Sequence, residues 1–274
     1  MEEATDETKD GATQEPLTID IVTIFPAFFE GPLAHGILRK AQEAGLVKIA
    51  VHDLREFTSD RHRTVDDRPF GGDEGMVLKP EPLFLAAEHI TAENMQAQAK
   101  PRGRVILLSA QGKLFRQPMA SELTREKSLM LLCGRYEGVD ERVAESLADD
   151  EISIGDFVLS GGELAAAVVV DTVVRLLPGA LGNAASAVRE SFTATETDGG
   201  RVSLDWPHYT RPAQFRDLAV PEVLLSGDHR RIAEWRQRKA LEKTFRNRPD
   251  LLQGATLSAG ERQWLEEFKE EKKP

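Results

Sequence analysis

Two kinds of apolar spacing alternate along the chain as far as Leu177, and only one of them continues after Ala213. IDIVTIF at 19–25 is continuous and β-branched and is closed by Pro26, the pattern of a strand covered on both faces. Leu33, Ile37, Ala41 and Ala44 then recur at helical spacing with Gly45 as the stop, and LVKIAVH at 46–52 reads as the next strand. Strand, helix, strand is the opening of a parallel α/β sheet. Residues 81–100 predict a helix, RVILLS at 104–109 a third strand, 116–127 a helix, SLMLLC at 128–133 a fourth strand and the segment around 152–158 a fifth. From Gly161 to Leu177 the run GGELAAAVVVDTVVRLL is apolar on nearly every side, so it predicts a helix buried on several faces and ended by Pro178-Gly179.

The stretches between these elements divide the chain. Residues 1–17 are polar, acidic and aperiodic, and predict a disordered tail ahead of an α/β domain over 18–178. Residues 179–212 have no convincing period and carry the pair Gly199-Gly200, the marks of a linker. From 213 to 274 only helices are suggested, so a small all-α domain is expected there. Ser226 and Ser258 stand before helical stretches, and Ser258 has Glu261 three residues on as a capping box. In the 228–246 helix Ile232 and Trp235 lie on one side while Leu241 and Phe245 lie nearly opposite, which leaves no clean basic face.

Composition adds less than charge placement does. At 274 residues with 41% apolar content and mean hydropathy −0.36, the chain is long enough for a sizeable core. No apolar run reaches membrane-spanning length and the N-terminus is acidic, so no membrane segment and a cytoplasmic location are expected. The single cysteine, Cys133, agrees with a reducing compartment and reads as a buried structural thiol. The net charge of −11 argues against a nucleic-acid partner until its distribution is considered. Glu2, Glu3, Asp6, Glu7, Asp10 and Glu15 face only Lys9, whereas Arg230, Arg231, Arg236, Arg238, Lys239, Lys243, Arg246 and Arg248 face only Glu234 and Glu242. The sign is segregated along the chain.

Three glycine-containing loops follow strands, at Ser109–Lys113, Gly134–Gly138 and Ser153–Gly162. None matches a dinucleotide or nucleoside-triphosphate phosphate cradle, so backbone groups meeting a nucleoside-like ligand are the better expectation. In the long polar stretch from Asp53 to Pro80, Arg55, Arg61, Arg63 and Arg68 are balanced by Glu56, Asp60, Asp66 and Asp67. It reads either as a salt-bridged surface loop or as phosphate-binding arginines beside Gly71, Gly72 and Gly75. Ser160 and Glu163 have the spacing of a capping box. Asp171 and Arg175 are spaced as an ion pair on a helix so apolar that the pair would be largely buried, which marks Arg175 as a candidate functional cation. Glu137 is either an idle surface carboxylate or one that faces a cationic ligand. No histidine or cysteine spacing suggests a metal site.

FTSDRHRTVDDRPFGGDEGM at 57–76, CGRYEGVDERV at 133–143, SIGDFVLSGGEL at 153–164, PHYTRP at 207–212 and VLLSGDH at 223–229 together resemble the bacterial tRNA (guanine-N1)-methyltransferases of the TrmD type, in the SPOUT superfamily. The resemblance implies a deep trefoil knot in the α/β domain, a connection that the general rule against threading would reject. It implies that S-adenosylmethionine is bound by Gly134 and by Ile154, Gly155, Asp156, Phe157, Val158 and Leu159, with Ser109, Tyr136 and Glu137 nearby. It further implies a homodimer with shared active sites, a tRNA-binding C-terminal domain, and methylation of N1 of the guanosine immediately 3′ of the anticodon. Ser191, His208, Tyr209 and Arg211 would contact substrate. The family is associated with magnesium, for which no ligand cluster identifies a site.

Neutral guanine N1 carries a proton, so a base must remove it as the methyl group arrives, and charge then develops at O6, where an arginine stabilises it. Arg175 matches the family's catalytic arginine. The base marks a departure: the family usually has aspartate before Ser-Phe, and here Glu190 precedes Ser191-Phe192. The extra methylene moves the carboxylate by about an ångström or more unless the linker compensates. Glu190 is taken as the base, with Asp205 as the runner-up on a segment expected to stay disordered until tRNA arrives. GGDEGM is a second departure, with Asp73 and Glu74 where the family often has Gly-Pro. A rival expectation is a tRNA-binding homologue impaired in catalysis.

Overall fold

The computed structural model describes residues 15–72, 74–98, 103–182, 190–192 and 203–271. The expected acidic tail lies almost wholly outside them, as do Asp73 and much of the expected linker. The chain forms two compact units that meet in sequence at Gly182 and Asn183.

The first unit is built on a parallel sheet. Its strands are β1 (Leu17–Thr23), β2 (Val47–Asp53), β5 (Arg104–Leu114), β6 (Ser128–Cys133) and β7 (Asp150–Ser153), in the order β2-β1-β6-β5-β7. A two-residue antiparallel pair, β3 (Asp66–Asp67) with β4 (Val77–Leu78), lies in the long polar stretch. Helices α1 (Glu30–Leu33), α2 (Gly36–Glu43), α3 (Pro80–Gln98), α4 (Gln117–Leu123), α5 (Glu141–Ser146) and α6 (Glu163–Val174) complete it.

Alternation along the central strands feeds two cores. Ile19 and Ile21 of β1, Ile106 and Leu108 of β5, and Leu129 and Leu131 of β6 pack with α2, α4 and α6. Val22, Val105, Leu107, Met130 and Leu132 face the other way, with Leu83, Ala86 and Ile90 of α3 and Val143 of α5. Each fully buried Leu or Ile contributes about 1.5–3 kcal/mol relative to an exposed one, which is why these strands read as continuous apolar runs. A buried polar group on β1, Asp20, is satisfied by His52 Nε2 at 2.8 Å and by Asn94 Nδ2 at 2.9 Å, tying α3 to the sheet.

Several boundaries differ from the sequence reading. β1 starts at Leu17, inside the expected tail, because Leu17 pairs with Val47 and is buried. β5 runs on through Ser109–Lys113, the first expected loop. After a break in register, Lys113 and Leu114 pair with Ile152 and Ser153. β7 is confined to Asp150–Ser153, and the remainder of the expected fifth strand turns tightly, with Phe157 N–H donating to Gly155 O at 2.9 Å. α6 is buried along Ala165, Ala166, Val169, Val170, Val173 and Val174. Leu164, Val168 and Asp171 are exposed, so among the described residues this side of the helix is uncovered and Asp171 lies at the surface, not in the buried setting expected for it.

Among the described residues the second unit holds a hairpin, β8 (Gln214–Phe215) with β9 (Leu218–Ala219), and the helices α7 (Glu222–Leu225), α8 (His229–Asn247) and α9 (Ala259–Glu271). The hairpin departs from the expectation of helices alone; its turn contains Arg216 with φ 54°. Leu241 of α8 and Leu265 and Phe268 of α9 form the core. Ser226 follows α7 instead of capping α8, whose N-cap is Asp228, accepting from Arg230 and Arg231 N–H at 3.1 Å. Ser258 and Glu261 do form a capping box, at 2.9 and 3.3 Å.

Candidate active site

The carboxyl ends of β5, β6 and β7 surround a cavity of about 210 Å³ in the first unit. Ser109 and Gln111 line it from β5, and Gly134, Arg135, Tyr136, Glu137 and Gly138 from the turn after β6. Ile154, Gly155, Phe157, Val158 and Leu159 line it from the turn after β7, whereas Asp156 lies outside its lining. Leu107, Val139 and Ile154 add apolar residues to the lining, and Glu137, Glu141 and Glu151 add carboxylates. Turns at strand ends supply backbone donors and acceptors because their polar groups are not all spent in the ladder.

Three connections set the shape of this cavity. Gly162 N–H donates to Gly134 O at 2.8 Å, seating the turn after β7 on the turn after β6. Glu137 N–H donates to Met76 O and Leu78 N–H to Gly138 O, both at 3.0 Å, so the long polar stretch braces the Tyr136–Gly138 turn. Tyr136 has φ 59°, and a Cβ on Gly75 would lie 2.5 Å from Glu137 Cγ, so Gly75 makes room for the glutamate. Arg61, Arg63 and Arg68 are exposed, and Asp60 spends its carboxylate on the backbone N–H groups of His62 and Thr64, at 2.8 and 2.9 Å.

Glu163 corrects the sequence reading. Gly162, not Ser160, is the N-cap of α6 and makes no side-chain cap. The Glu163 carboxylate, 2% exposed, accepts from Thr23 Oγ1 at 2.8 Å and from Arg135 Nε at 3.1 Å. Arg135 in turn stacks 4.5 Å over the Phe25 ring. No local signal identifies this arrangement, since Thr23 is 140 residues away. Arg175 sits at the C-cap of α6, half-buried, its N–H donating to Asp171 O at 3.1 Å.

The remaining expected residues belong to the second unit. Ser191 Oγ accepts from Asp205 N–H at 2.9 Å, immediately after half-buried Glu190. Asp205 Oδ1 accepts Trp206 N–H at 2.7 Å, and Oδ2 pairs with His208 Nε2 at 2.8 Å. Arg236 stacks 5.0 Å over Trp206, and Tyr209 lies 6.2 Å from Trp235. His208, Tyr209 and Arg211 are exposed. On α8, Arg238 pairs with Glu267 at 2.9 Å and Lys239 with Glu242 at 2.7 Å, while Arg230, Arg231 and Lys243 are exposed. Among the described residues, no group of three or more His, Cys, Asp or Glu gathers to hold a metal, so no residue is assigned to magnesium.

A parallel sheet with a cavity at the carboxyl ends of its strands, continued in sequence by a helical unit with exposed cations, defines an α/β protein with its candidate site where parallel sheets commonly bind ligands. The family model for "tRNA (Guanine-1)-methyltransferase TrmD" matches residues 17–254, and the chain belongs to that family. It is 59% identical over 267 residues to the tRNA (guanine-N(1)-)-methyltransferase of Koribacter versatilis (strain Ellin345), covering 92% of this chain and 98% of the relative. Identity to the proteins of the same name from Geobacillus kaustophilus (strain HTA426) and Geobacter metallireducens (strain ATCC 53774 / DSM 7210 / GS-15) is 52% and 51%. Those matches each cover 93% of this chain, and 100% and 98% of the relatives.

Proposed function

We propose that the chain is a tRNA (guanine-N1)-methyltransferase that moves a methyl group from S-adenosylmethionine to N1 of the guanosine immediately 3′ of the anticodon. The observation that carries this reading is the family match over residues 17–254, with 59% identity to a relative of that name. The cavity supports it: strand-end turns offer polar backbone groups to a nucleoside, and Glu137 offers a carboxylate to the cationic part of the donor. S-adenosylmethionine supplies the methyl group as an activated sulfonium substituent. A deep trefoil knot as the form of the α/β unit is part of the proposal and rests on the family match over residues 17–254.

In this mechanism Glu190 removes the proton from guanine N1, and the freed electron pair forms the bond to the methyl carbon as the carbon–sulfur bond breaks. Arg175 stabilises the negative charge that develops at O6. Asp205 has both carboxylate oxygens engaged, by Trp206 N–H and by His208, and its own N–H on Ser191, which supports it as the residue that holds Ser191 and His208 in place, with Glu190, the residue before Ser191-Phe192, as the base. His208, Tyr209 and Arg211, exposed beside it, offer stacking and phosphate contacts to RNA.

A homodimer with shared active sites is part of the proposal. Leu164 and Val168 of α6, 51% and 45% exposed, form an apolar stripe on the side opposite the buried face, which a second copy would cover. Among the described residues no helix is long and apolar enough to cross a membrane, and a tRNA substrate fits a cytoplasmic protein. Methyl incorporation by three variants tests the assignment of the base. Glu190→Gln should lose about a hundredfold or more in kcat, whereas Asp205→Asn, which keeps its backbone N–H, should retain turnover. An active Glu190→Gln beside a dead Asp205→Asn would reverse the roles. Glu190→Asp, which restores the family's residue, should remain active.

A further inference from the structure

The segment that carries Glu190 is fastened to α8 by a side chain far from it in sequence. Thr244 is fully buried, and its hydroxyl donates to Ala240 O at 2.7 Å and accepts Leu204 N–H at 3.0 Å. The residue before Leu204 accepts in turn: Ser203 O takes Phe192 N–H at 2.8 Å. The residue after it donates, Asp205 N–H to Ser191 Oγ at 2.9 Å. Phe192 has φ 70°, and its ring lies 5.5 Å from the Arg248 guanidinium, which Asp250 grips at 2.9 and 2.7 Å. Thr244 thus anchors 203–205, 203–205 hold Ser191 and Phe192, and Glu190 is the next residue along.

We propose that Thr244 is a positioning residue for the general base: its hydroxyl fixes the backbone of 203–205 and thereby sets where the Glu190 carboxylate stands. The inference rests on the reading of Glu190 as the base. A hydroxyl is needed because one group must both donate and accept inside a buried site, which neither an apolar side chain nor a backbone group does. Placement matters because the Glu190 carboxylate stands at the end of three side-chain torsions, so its position depends on the backbone that carries it being fixed. A displacement of about an ångström at a proton-transfer site lowers the rate by up to about a hundredfold.

Steady-state methylation with donor and tRNA varied in turn tests this with Thr244→Val, Thr244→Ser, Glu190→Gln and the double variant Glu190→Gln/Thr244→Val. Thr244→Val should fall by about ten- to a hundredfold in kcat, with the KM for S-adenosylmethionine unchanged within about twofold. Thr244→Ser should return to near the wild-type rate, and the double variant should be no slower than Glu190→Gln alone. Wild-type kcat in Thr244→Val, or an equal further loss in the double variant, overturns the inference while leaving the base assignment intact. Wild-type kcat in Glu190→Gln overturns the base assignment and the inference with it. Hydrogen exchange of the unmutated protein gives an answer even if Thr244→Val does not fold. The Leu204, Phe192 and Asp205 amides should be protected, and exchange at the rates of an unfolded peptide contradicts the anchor.

Discussion

Thr23 Oγ1 donates to Glu163 Oε1 at 2.8 Å across 140 residues of sequence, with both residues buried in the α/β unit. Because the other oxygen of the same carboxylate receives Arg135 Nε, one side chain joins the end of β1, the turn after β6 and the start of α6. Glu163→Ala strands a hydroxyl and a guanidinium that is only partly reached by water, and should cost about 2–4 kcal/mol in urea unfolding. Glu163→Gln keeps an acceptor for Thr23 and should cost less. A Glu163→Ala protein within about 0.5 kcal/mol of wild type would show that the link contributes little.

Gly112 lies where β5 changes register against β7, and a Cβ there would stand 2.4 Å from Ile152 N. The obstacle is backbone and has no rotamer to yield. Gly112→Ala should destabilise by about 1–3 kcal/mol and weaken S-adenosylmethionine binding, since Gln111 and Ile152 both line the cavity. Gly31→Ala, with no atom within 4 Å of the new methyl group, is the control and should melt near wild type.

Burial pushes the Cys133 thiol well above its ordinary range, and the nearby Glu163 charge adds to the effect. Thiolate is the reactive form, so a thiol raised in this way stays protonated as the pH climbs through 8 and 9. The folded protein should therefore react with a thiol reagent at a rate set by unfolding, and denatured protein should react at once. Rapid labelling under native conditions at pH 8 would contradict the buried assignment.

Arg175 lies at the C-cap of α6, and in the proposed mechanism it stabilises the charge that develops at O6 and does not bind the donor. Arg175→Ala should bind S-adenosylmethionine within about threefold of wild type by calorimetry while losing about a hundredfold or more in turnover. Equal loss of both would mark the residue as structural.

How far the sequence carries depends on whether a signal is local. The parallel sheet was legible because strands covered on both faces are continuous apolar runs, as in Ile19–Ile24 and Leu129–Cys133. The extension of β5 was not, because its last residues are exposed and pair only by backbone hydrogen bonds with β7. Two identical signals came out differently: Ser258 and Glu261 close a capping box, whereas Glu163 leaves Ser160 for Thr23 and Arg135. The Gly161-Gly162 turn puts the start of α6 at Glu163, after which a long-range partner outcompetes the local one. α5 escaped notice because one buried side chain, Val143, over six residues makes no periodic pattern. Thr244 carried no sign at all, since its partner Leu204 is 40 residues away.

The claim that this chain methylates guanine N1 of tRNA is tested most directly by transfer of label from S-adenosylmethionine to unmodified tRNA bearing guanosine 3′ of the anticodon, beside the same tRNA with adenosine there. Label should enter only the guanosine substrate and be recovered as N1-methylguanosine. Binding of both tRNAs without incorporation into either, by a protein shown to be dimeric and supplied with magnesium, would contradict the account and leave a tRNA-binding protein that has lost its chemistry.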